Sequence, residues 1–325
     1  MAMKAWIVDE ISDDGTMRFA DLPQPEPGPG QCLVRVMVAG VNFLDTLMVR
    51  GRYQRKPPLP FTPGVELVGT VVTGGLLPPG SMVCASIETG AFAEYALVPD
   101  DAVRPVPGDV PPAEALVLLG INYPTSYYAL HDRGHMQAGE TVLVHAGAGG
   151  VGSAAVQIAK AAGCRVIATA GSAAKVAACR ALGADEALDY SDAGWIDALR
   201  ALVGRDGIDI VYDPVGGPVA EPSLRAIAWH GRYLVVGFAG GAIPALAANR
   251  LLLREASAIG VLWGEARRHD PALSERVGQH VLTLYRQGAV PPLIGARFPL
   301  DQAPAALARL AGRATSGKVL ITVSA

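Results

Sequence analysis

Residues 141–163, with the sequence TVLVHAGAGGVGSAAVQIAKAAG, constrain the fold of this chain more than any other stretch. A short strand-like apolar run leads into a loop in which four of six residues are glycine, and a helical pattern of small residues follows. In the spacing G-x-G-x-x-G, glycines permit a tight turn, close approach of a pyrophosphate, and close packing of helix on strand, while the helix N-terminus adds partial positive charge. The stretch predicts a dinucleotide-binding loop with contacts at Gly147, Gly149, Gly150, Val151 and Gly152. Tight packing without a ligand is the alternative.

The runs around this loop indicate an α/β fold with two kinds of domain. From Thr141 to about Trp263, strand-like and helical runs alternate, which predicts a doubly wound parallel sheet of the Rossmann type. The first third instead carries short β-type runs separated by turns rich in proline and glycine, which is typical of an antiparallel, barrel-like β domain. After Trp263 the alternation is less regular, so the tail is expected to return to the first domain.

The composition excludes several classes of protein. The chain has 325 residues, with 27 Lys and Arg against 30 Asp and Glu, so no basic surface for nucleic acid is expected. No apolar run reaches the roughly 18 residues that a membrane span needs, and the N-terminal segment shows no export signal. The four cysteines stand far apart without a C-x-x-C pair, which suits a reducing compartment. We therefore expect a cytoplasmic protein that binds neither nucleic acid nor membrane.

The segment after the second predicted strand indicates which dinucleotide is bound. A carboxylate about 20 residues past the glycines would bind the ribose hydroxyls of NAD. The sequence there is ATAGSAAK, and the first acidic residue after the loop is Asp185. Gly171 permits close backbone approach, while Ser172 offers a hydroxyl and Lys175 an ammonium group, which together suit a 2'-phosphate. The sequence thus predicts NADPH. Alternatively, Ser172 only caps a helix over 173–182 and Lys175 is solvated in its first turn.

Further stretches carry a resemblance to a known family. With the glycine-rich loop, they resemble the medium-chain dehydrogenase/reductase superfamily, specifically its zinc-free quinone oxidoreductase branch, which includes zeta-crystallin. The stretches are GVNFLDTLMVRGRY (40–53), PFTPGVELVGTVV (60–72), GAFAEYALVP (90–99), TAGSAAK (169–175), VYDPVGG (211–217), VVGFAGG (235–241) and RATSGKVLITV (313–323). The resemblance spans nearly the whole chain. It implies a GroES-like β-rich catalytic domain, residues 1–122 and 265–325, and a Rossmann NADPH-binding domain, residues 123–264.

The resemblance also implies that the chain holds no metal. In zinc-dependent relatives a cysteine ligand stands at the place of Asn42, and a histidine ligand at the place of Val65. An amide and an isopropyl group cannot replace thiolate and imidazole at a tetrahedral zinc. Without a Lewis acid, the expected reaction is hydride transfer from NADPH to an acceptor that is already electron-poor, namely a quinone or an α,β-unsaturated carbonyl compound.

By the same resemblance, Asn42, Asp45 and Tyr53 are the residues beside the nicotinamide. Asn42 is expected to donate from its amide to cofactor ribose or substrate, Tyr53 to hydrogen-bond a developing oxygen charge, and Asp45 to orient these groups. The alternatives are local: Asn42 stabilises a turn, Asp45 caps a helix, and Tyr53 is an amphipathic rim residue. Leu47 stands where this branch often has a tyrosine, which leaves the preferred acceptor open.

Other cofactor contacts follow from the resemblance position by position. Thr125 is expected near the nicotinamide, Tyr190 near the adenine, and Lys318 approaches from the returning tail. The nicotinamide ribose is expected to contact the segment Phe238, Ala239 and Gly240. Alternatively, Tyr190 is a surface aromatic at a strand end and Phe238 is a core residue.

The resemblance and one apolar strand predict a homodimer. The run ASAIGVLW (256–263) is expected to be the last Rossmann strand, and pairing of two copies along it would cover its exposed edge. Two other functions stay open at this point. One is an enoyl-CoA or alkenal reductase with incidental quinone activity, and the other is a non-catalytic NADPH-binding protein with a structural or sensing role.

Overall fold

The structure is a computed structural model that describes residues 2–323, and the chain divides into two compact units. Unit 1 contains the chain up to Ile121 and again from Ile294, and unit 2 contains Asn122–Leu293. The first part of unit 1 consists of β1 (Ala2–Ile7), β2 (Arg18–Pro23), β3 (Gln31–Val41), α1 (Phe43–Met48), β4 (Glu66–Gly74), β5 (Met82–Ser86), β6 (Tyr95–Pro99), β7 (Val103–Pro105) and α2 (Pro112–Leu119).

Unit 2 begins with a helix and then alternates strands and helices. Its elements are α3 (Asn122–Tyr127), β8 (Thr141–Val144), α4 (Gly150–Ala161), β9 (Arg165–Ala170), α5 (Ala173–Ala181), β10 (Glu186–Asp189), α6 (Trp195–Val203), β11 (Ile208–Asp213), α7 (Ala220–Arg225), β12 (Ile227–Val235), α8 (Ala248–Leu252), β13 (Ser257–Gly260), α9 (Trp263–His269) and α10 (Leu273–Arg286). The chain returns to unit 1 with β14 (Ile294–Pro299), α11 (Ala303–Ala311) and β15 (Lys318–Thr322). A π-helical segment, Tyr128–Arg133, continues α3.

Unit 1 is built on a seven-stranded sheet in the order β14-β15-β3-β4-β5-β7, in which β6 pairs with the N-terminal half of β3. The β14–β15 pair is parallel and the other pairs are antiparallel. β3 lies at the centre because nearly its whole sequence is apolar, so that Leu33 and Val34, which point to opposite faces, are both buried. The β-rich, largely antiparallel first domain expected from the sequence is confirmed.

Unit 2 is built on a six-stranded parallel sheet in the order β10-β9-β8-β11-β12-β13. The central strand β8, TVLV, is apolar after its first residue and buried, as expected for a parallel strand covered on both faces. The strand order turns back at β8, which precedes the glycine-rich loop, and this is the doubly wound Rossmann topology. The predicted fold class is therefore confirmed.

Two boundaries differ from those expected from the sequence. The family resemblance implies a return to the first domain at about residue 265, whereas the structure places residues 265–293 in unit 2, where α10 packs against α3 and α9. The run PSLRAIAWH (222–230) stands between two strand-like runs, so the predicted alternation makes it helical throughout; in the structure its helix ends at Arg225 and β12 begins at Ile227. β12 pairs with β11 through an irregularity in register, and its first residue, Ile227, already pairs with Ile208.

Two further properties bear on the class of protein. None of the helices formed by residues 2–323 is long and apolar enough to cross a membrane. The cysteines Cys32, Cys84, Cys164 and Cys179 are buried thiols. Burial raises the pKa of the Cys179 thiol to about 11, so this group stays protonated near neutral pH.

Candidate functional site

In unit 2, most of the residues predicted to bind a dinucleotide follow the carboxyl ends of four parallel strands. Residues 147–152 follow β8, residues 171–175 follow β9, Tyr190 follows β10 and residues 238–240 follow β12. Because neighbouring parallel strands end at the same edge of a sheet, these segments share one edge. Ligands of open α/β sheets bind outside this edge.

The glycine-rich loop is closed tightly against the start of α4. Gly149 N–H donates to Ala146 O at 2.8 Å, and Ser153 N–H donates to Gly149 O at 2.8 Å. A Cβ on Gly152 would overlap the Ala146 carbonyl oxygen, and one on Gly147 would lie 2.8 Å from the Cβ of Ala168 on β9. Glycine is therefore required here for packing. The first backbone N–H groups of α4 have no partner within the helix, so the same loop can hold a phosphate.

Ser172 performs the local role that was the alternative to phosphate binding. It precedes α5 as its N-cap, and its Oγ accepts from the Lys175 N–H at 3.4 Å. A hydroxyl that accepts one hydrogen bond still has its own hydrogen to donate, so capping leaves Ser172 able to bind a phosphate oxygen. Gly171 is pressed against the Tyr190 ring, whose nearest atom would lie 3.0 Å from an added Cβ. The structure therefore places close together the four residues predicted to bind the adenosine end of NADPH: Gly171, Ser172, Lys175 and Tyr190.

His145, which the sequence reasoning missed, lies fully buried directly before the glycine-rich loop. Its Nδ1 is 2.8 Å from Thr169 Oγ1, and its Nε2 is 2.7 Å from Ser223 Oγ, which itself donates to Val219 O. Since Ser223 uses its hydrogen on Val219, Nε2 must carry the imidazole proton and Nδ1 must accept from Thr169. Burial lowers the pKa of His145 to about 4, with the negative charge of Asp213 opposing this shift. The neutral imidazole of His145 thus links the start of the glycine-rich loop to α7 through its hydrogen bond with Ser223.

Asp213, also missed, shapes the loop after β11. Its Oδ1 accepts from the N–H groups of Val215 at 2.7 Å and Gly216 at 2.9 Å, and its Oδ2 accepts from the Tyr233 hydroxyl. A buried carboxylate with three donors is well satisfied. The sequence signal was the turn motif D-P-V-G-G, in which an Asp side chain commonly binds backbone N–H groups two or three residues later.

The predicted segment 238–240 rests on this loop. Ala239 N–H donates to Pro214 O at 3.0 Å, and Gly240 N–H donates to Val215 O at 2.7 Å. Phe238 is 37% exposed, so it is not the core residue that was considered as an alternative. The segment lies at the carboxyl edge of the sheet with its aromatic ring accessible.

Thr125 is 8% exposed and lies on α3 next to Ser126. Ser126 Oγ donates to Val151 O at 2.8 Å and also lies 2.9 Å from the Tyr212 hydroxyl. α3 is thereby fixed to the first turn of α4, and Thr125 is placed in the same unit as the glycine-rich loop.

In unit 1, three strand ends bring Asn42, Glu66 and Lys318 together. β15, β3 and β4 are neighbours, and β3 is antiparallel to both of the others. Asn42 follows the last residue of β3, while Glu66 begins β4 and Lys318 begins β15. The three side chains consequently meet at one edge of the sheet, although they are far apart in the sequence.

These three side chains form a buried hydrogen-bonded cluster. Lys318 Nζ donates to Asn42 Oδ1 at 2.6 Å and to Glu66 Oε1, and Asn42 Nδ2 donates to Glu66 Oε1 at 2.8 Å. Glu66 is fully buried, Lys318 is 2% exposed and Asn42 is 9% exposed. The Glu66 carboxylate occupies the space that a Cβ on Gly40 or Gly120 would take. Glu66 was missed from the sequence, where its signal was an acidic residue at the head of the apolar run ELVGTVV.

Asp45 adjoins this cluster and caps α1. It is fully buried, and its Oδ2 accepts from the Asn42 N–H at 2.7 Å, which is the capping role considered as an alternative. Burial raises the pKa of Asp45 to about 7, while its bond to the Asn42 backbone and the charge of Lys318 act in the opposite direction. Tyr53 is half-buried and packs against the core of unit 1 outside the cluster.

The raised pKa of Asp45 predicts a pH-dependent stability. Between about pH 4 and pH 7, the folded protein holds a proton that the unfolded chain has released, so this group's contribution to stability falls as the pH rises. We expect the Asp45→Asn substitution to remove a decline on the order of 1 kcal/mol per pH unit across this window. Urea denaturation of both proteins at several pH values measures it. The exposed Asp13→Asn control should keep the wild-type slope; an unchanged slope in Asp45→Asn contradicts the prediction.

The donors around Asn42 bear on metal binding. Nowhere in residues 2–323 do three or more His, Cys, Asp or Glu side chains form a group that could hold a metal ion. Asn42 Oδ1 accepts from a lysine ammonium, Glu66 is paired with the same lysine, and Val65 is a buried apolar side chain. An amide and an isopropyl group are not ligands that a tetrahedral zinc site uses, and the Glu66 carboxylate, which could be one, is paired with the Lys318 ammonium.

Known proteins are similar to this chain over nearly its whole length. Residues 28–108 match the alcohol dehydrogenase GroES-like domain family, and residues 150–277 match the zinc-binding dehydrogenase family. Quinone oxidoreductase-like protein 2 of Rattus norvegicus is 38% identical, covering 92% of this chain and 87% of the relative. Quinone oxidoreductase of Pongo abelii is 32% identical, covering 98% and 97%. The quinone oxidoreductase of Thermus thermophilus, solved alone and with NADPH, has a TM-score of 0.85 at 35% identity, covering 98% of this chain and 99% of that one.

Proposed function

This chain belongs to the quinone oxidoreductase branch of the medium-chain dehydrogenase/reductase superfamily, and from that premise we propose that it transfers hydride from NADPH to a quinone or an α,β-unsaturated carbonyl compound, without zinc. The observation that carries the proposal is the Asn42–Glu66–Lys318 cluster. By the family resemblance, Asn42 stands where zinc-dependent relatives have a cysteine ligand, and a buried ion pair holds its amide there. An acceptor must then be activated by hydrogen bonds alone, and quinones and enones meet this condition because their carbonyl groups delocalise the arriving charge.

The residues at the carboxyl edge of the unit 2 sheet fit NADPH. The N-terminal N–H groups of α4 suit a pyrophosphate, and Gly152 lets the loop backbone pack tightly against the start of that helix. Ser172 and Lys175 can bind the 2'-phosphate, and the Tyr190 ring, which lies against Gly171, is the candidate for contact with the adenine. Bound NADPH supplies the hydride. Thr125 and the segment 238–240 are the candidates for contacts with the nicotinamide and its ribose.

The residues of unit 1 can orient an acceptor and stabilise its developing charge. Asn42 offers an amide N–H to an oxygen atom, and Asp45 fixes the backbone of Asn42 through the cap of α1. Tyr53 can donate its hydroxyl to a carbonyl oxygen that gains negative charge. The proton that completes the reduction comes from solvent or from a hydroxyl near the acceptor.

A panel of acceptors tests the proposed reaction. The purified protein is mixed with NADPH and, in turn, with naphthoquinones, orthoquinones, alkenals and enoyl thioesters, and loss of NADPH absorbance is followed. We expect turnover with at least one quinone or enone, unaffected by a metal chelator. The order of kcat/KM across the panel separates a quinone reductase from an enoyl thioester reductase. If NADPH binds without turnover on any acceptor, the proposal is wrong and a binding role is favoured.

The choice of NADPH predicts a loss of affinity on changing Lys175. A charge-assisted hydrogen bond contributes about 1.5–3 kcal/mol, so we expect Lys175→Met to weaken NADPH binding about tenfold or more while NADH binding changes little. Titration calorimetry with both dinucleotides measures this difference. Lys160→Met is the control, because Lys160 lies in the last turn of α4 and pairs with Asp185. If Lys175→Met weakens the binding of NADPH and of NADH equally, Lys175 does not bind the 2'-phosphate and the prediction is wrong.

We also propose a homodimer formed along β13. This strand is an outer strand of the unit 2 sheet and most of its residues are exposed, while Leu252, Leu253 and Leu262 nearby in the sequence are also exposed. Leu262→Lys is expected to shift the protein from dimer to monomer in light scattering at micromolar concentration. Leu76→Lys, at an 85% exposed position of unit 1, should leave the mass unchanged. A monomeric wild-type protein contradicts the proposal.

A further inference from the structure

We propose that Glu66 is a positioning residue, which together with Lys318 holds the Asn42 carboxamide in one orientation, so that a single N–H is presented to an oxygen atom of a bound molecule. This inference rests on the proposed function, in which Asn42 is the group that meets cofactor or acceptor. Glu66 does not meet the bound molecule itself, because it is fully buried.

The orientation of the amide follows from what its neighbours can do. The Lys318 ammonium can only donate, and it lies 2.6 Å from Asn42 Oδ1. An ionised Glu66 carboxylate can only accept, and its Oε1 lies 2.8 Å from Asn42 Nδ2. In a flipped amide, two donors would face each other at Lys318 and two acceptors would face each other at Glu66. Charge therefore selects one orientation.

This orientation leaves one donor for a ligand. The Nδ2 atom of Asn42 carries two hydrogens, and Glu66 accepts one of them. Asn42 is also the most exposed member of the cluster, at 9% against 2% for Lys318. The group that recognises the ligand is thus a neutral N–H, which suits a carbonyl or hydroxyl oxygen. Both the nicotinamide ribose and the acceptor carry such oxygens.

The carboxylate that selects the orientation is itself held in place. A Cβ on Gly40 of β3 would overlap Glu66 Oε1, and a Cβ on Gly120 after α2 would overlap Glu66 Oε2. The carboxylate is enclosed between these two backbone segments, so it cannot swing away from Asn42 without moving one of them. This enclosure preorganises the amide before a ligand arrives.

Three variants separate positioning from simple stability. Glu66→Gln and Lys318→Met each leave one buried charge unpaired, whereas the double variant removes both charges and should regain much of the lost stability. Glutamine both donates and accepts, so it no longer selects one amide orientation. We expect the double variant to remain about tenfold or more below wild type in kcat/KM with NADPH and a naphthoquinone. If the Kd for NADPH rises in the double variant, the oxygen atom that accepts from Asn42 belongs to the cofactor. If only kcat and KM for the quinone change, that oxygen atom belongs to the acceptor.

The control removes another ion pair. Arg232 and Glu140 of unit 2 are 2.8 Å apart and both side chains are 19% exposed. The double variant Glu140→Gln with Arg232→Met should retain wild-type kcat/KM. Wild-type kcat/KM in the Glu66→Gln, Lys318→Met double variant would overturn the proposal.

A measurement independent of activity keeps this inference apart from the proposed function. The chain has three asparagines, Asn42, Asn122 and Asn249, so isotope-labelled asparagine gives few side-chain amide signals, and Asn42→Ala assigns the relevant one. In the wild type, one Asn42 Nδ2 hydrogen should exchange with solvent more slowly than the other, and this difference should vanish in the double variant. Equal exchange in the wild type overturns the positioning role. Absence of turnover on every acceptor, with the exchange difference intact, overturns the proposed function instead.

Discussion

Replacing Gly152 by alanine is expected to lower the free energy of unfolding by about 1–3 kcal/mol and to weaken NADPH binding about tenfold or more. The added Cβ would overlap the Ala146 carbonyl oxygen and lie 3.0 Å from the Gly147 Cα. Both are backbone atoms of the loop, so the clash cannot be relieved by turning a side chain. The loop must move, and its N–H groups then leave the positions from which they meet a phosphate. Chemical denaturation and titration calorimetry measure the two effects.

Gly264 provides the matched control for this substitution. It lies in α9 of unit 2, and a Cβ there would meet nothing within 4 Å. Alanine favours the helix over glycine by up to about 1 kcal/mol, so Gly264→Ala should be neutral or stabilising and should keep NADPH affinity. Equal behaviour of the two variants would show that the tight contact at Gly152 has no bearing on binding.

The second large effect is expected from Lys318→Met, which should lower the free energy of unfolding by about 3–5 kcal/mol. The substitution keeps most of the side-chain volume and removes the ammonium. The fully buried Glu66 carboxylate then loses its counter-ion, and Asn42 Oδ1 loses its donor. Removing one partner of a buried pair costs far more than the pair itself contributes, because an uncompensated charge stays in the interior. Urea denaturation near neutral pH measures the loss.

Lys4→Met is the control for this prediction. Lys4 and Asp21 also form an ion pair, at 2.8 Å, but their side chains are 48% and 64% exposed. Water solvates whichever charge remains, so the expected loss is below about 1 kcal/mol. A similar loss in both variants would mean that burial of the Asn42–Glu66–Lys318 cluster does not set its energetics.

Much of the fold could be predicted because its signals are local. Strand β8, the glycine-rich loop and helix α4 follow one another within a short segment, and each is specified by residue types at fixed spacings. β12 shows where this reasoning fails. A helix is predicted over the whole run PSLRAIAWH, but β12 begins at Ile227 because its residues pair with the neighbouring strand β11.

The candidate site divides in the same way. Ser172 as a helix cap and Asp45 as a cap of α1 involve partners three residues away, and both roles were among the alternatives drawn from the sequence. His145 and Glu66 were missed because their partners are distant. Glu66 binds a lysine 252 residues further along the chain, and no local spacing encodes such a pair.

The sequence by itself determined that unit 2 is a Rossmann domain and that no cysteine or histidine ligand stands at positions 42 and 65. Through the family resemblance, it also led to the prediction that Asn42 lies beside the nicotinamide. Only the tertiary structure decided what surrounds Asn42. Sheet order brings β15, β3 and β4 side by side, and two glycines make room for a carboxylate, so a lysine and a glutamate become the partners of the amide. The sequence gives the type of each residue, but the interaction between two charges depends on the distance between them. For residues far apart in the sequence, only the fold sets that distance.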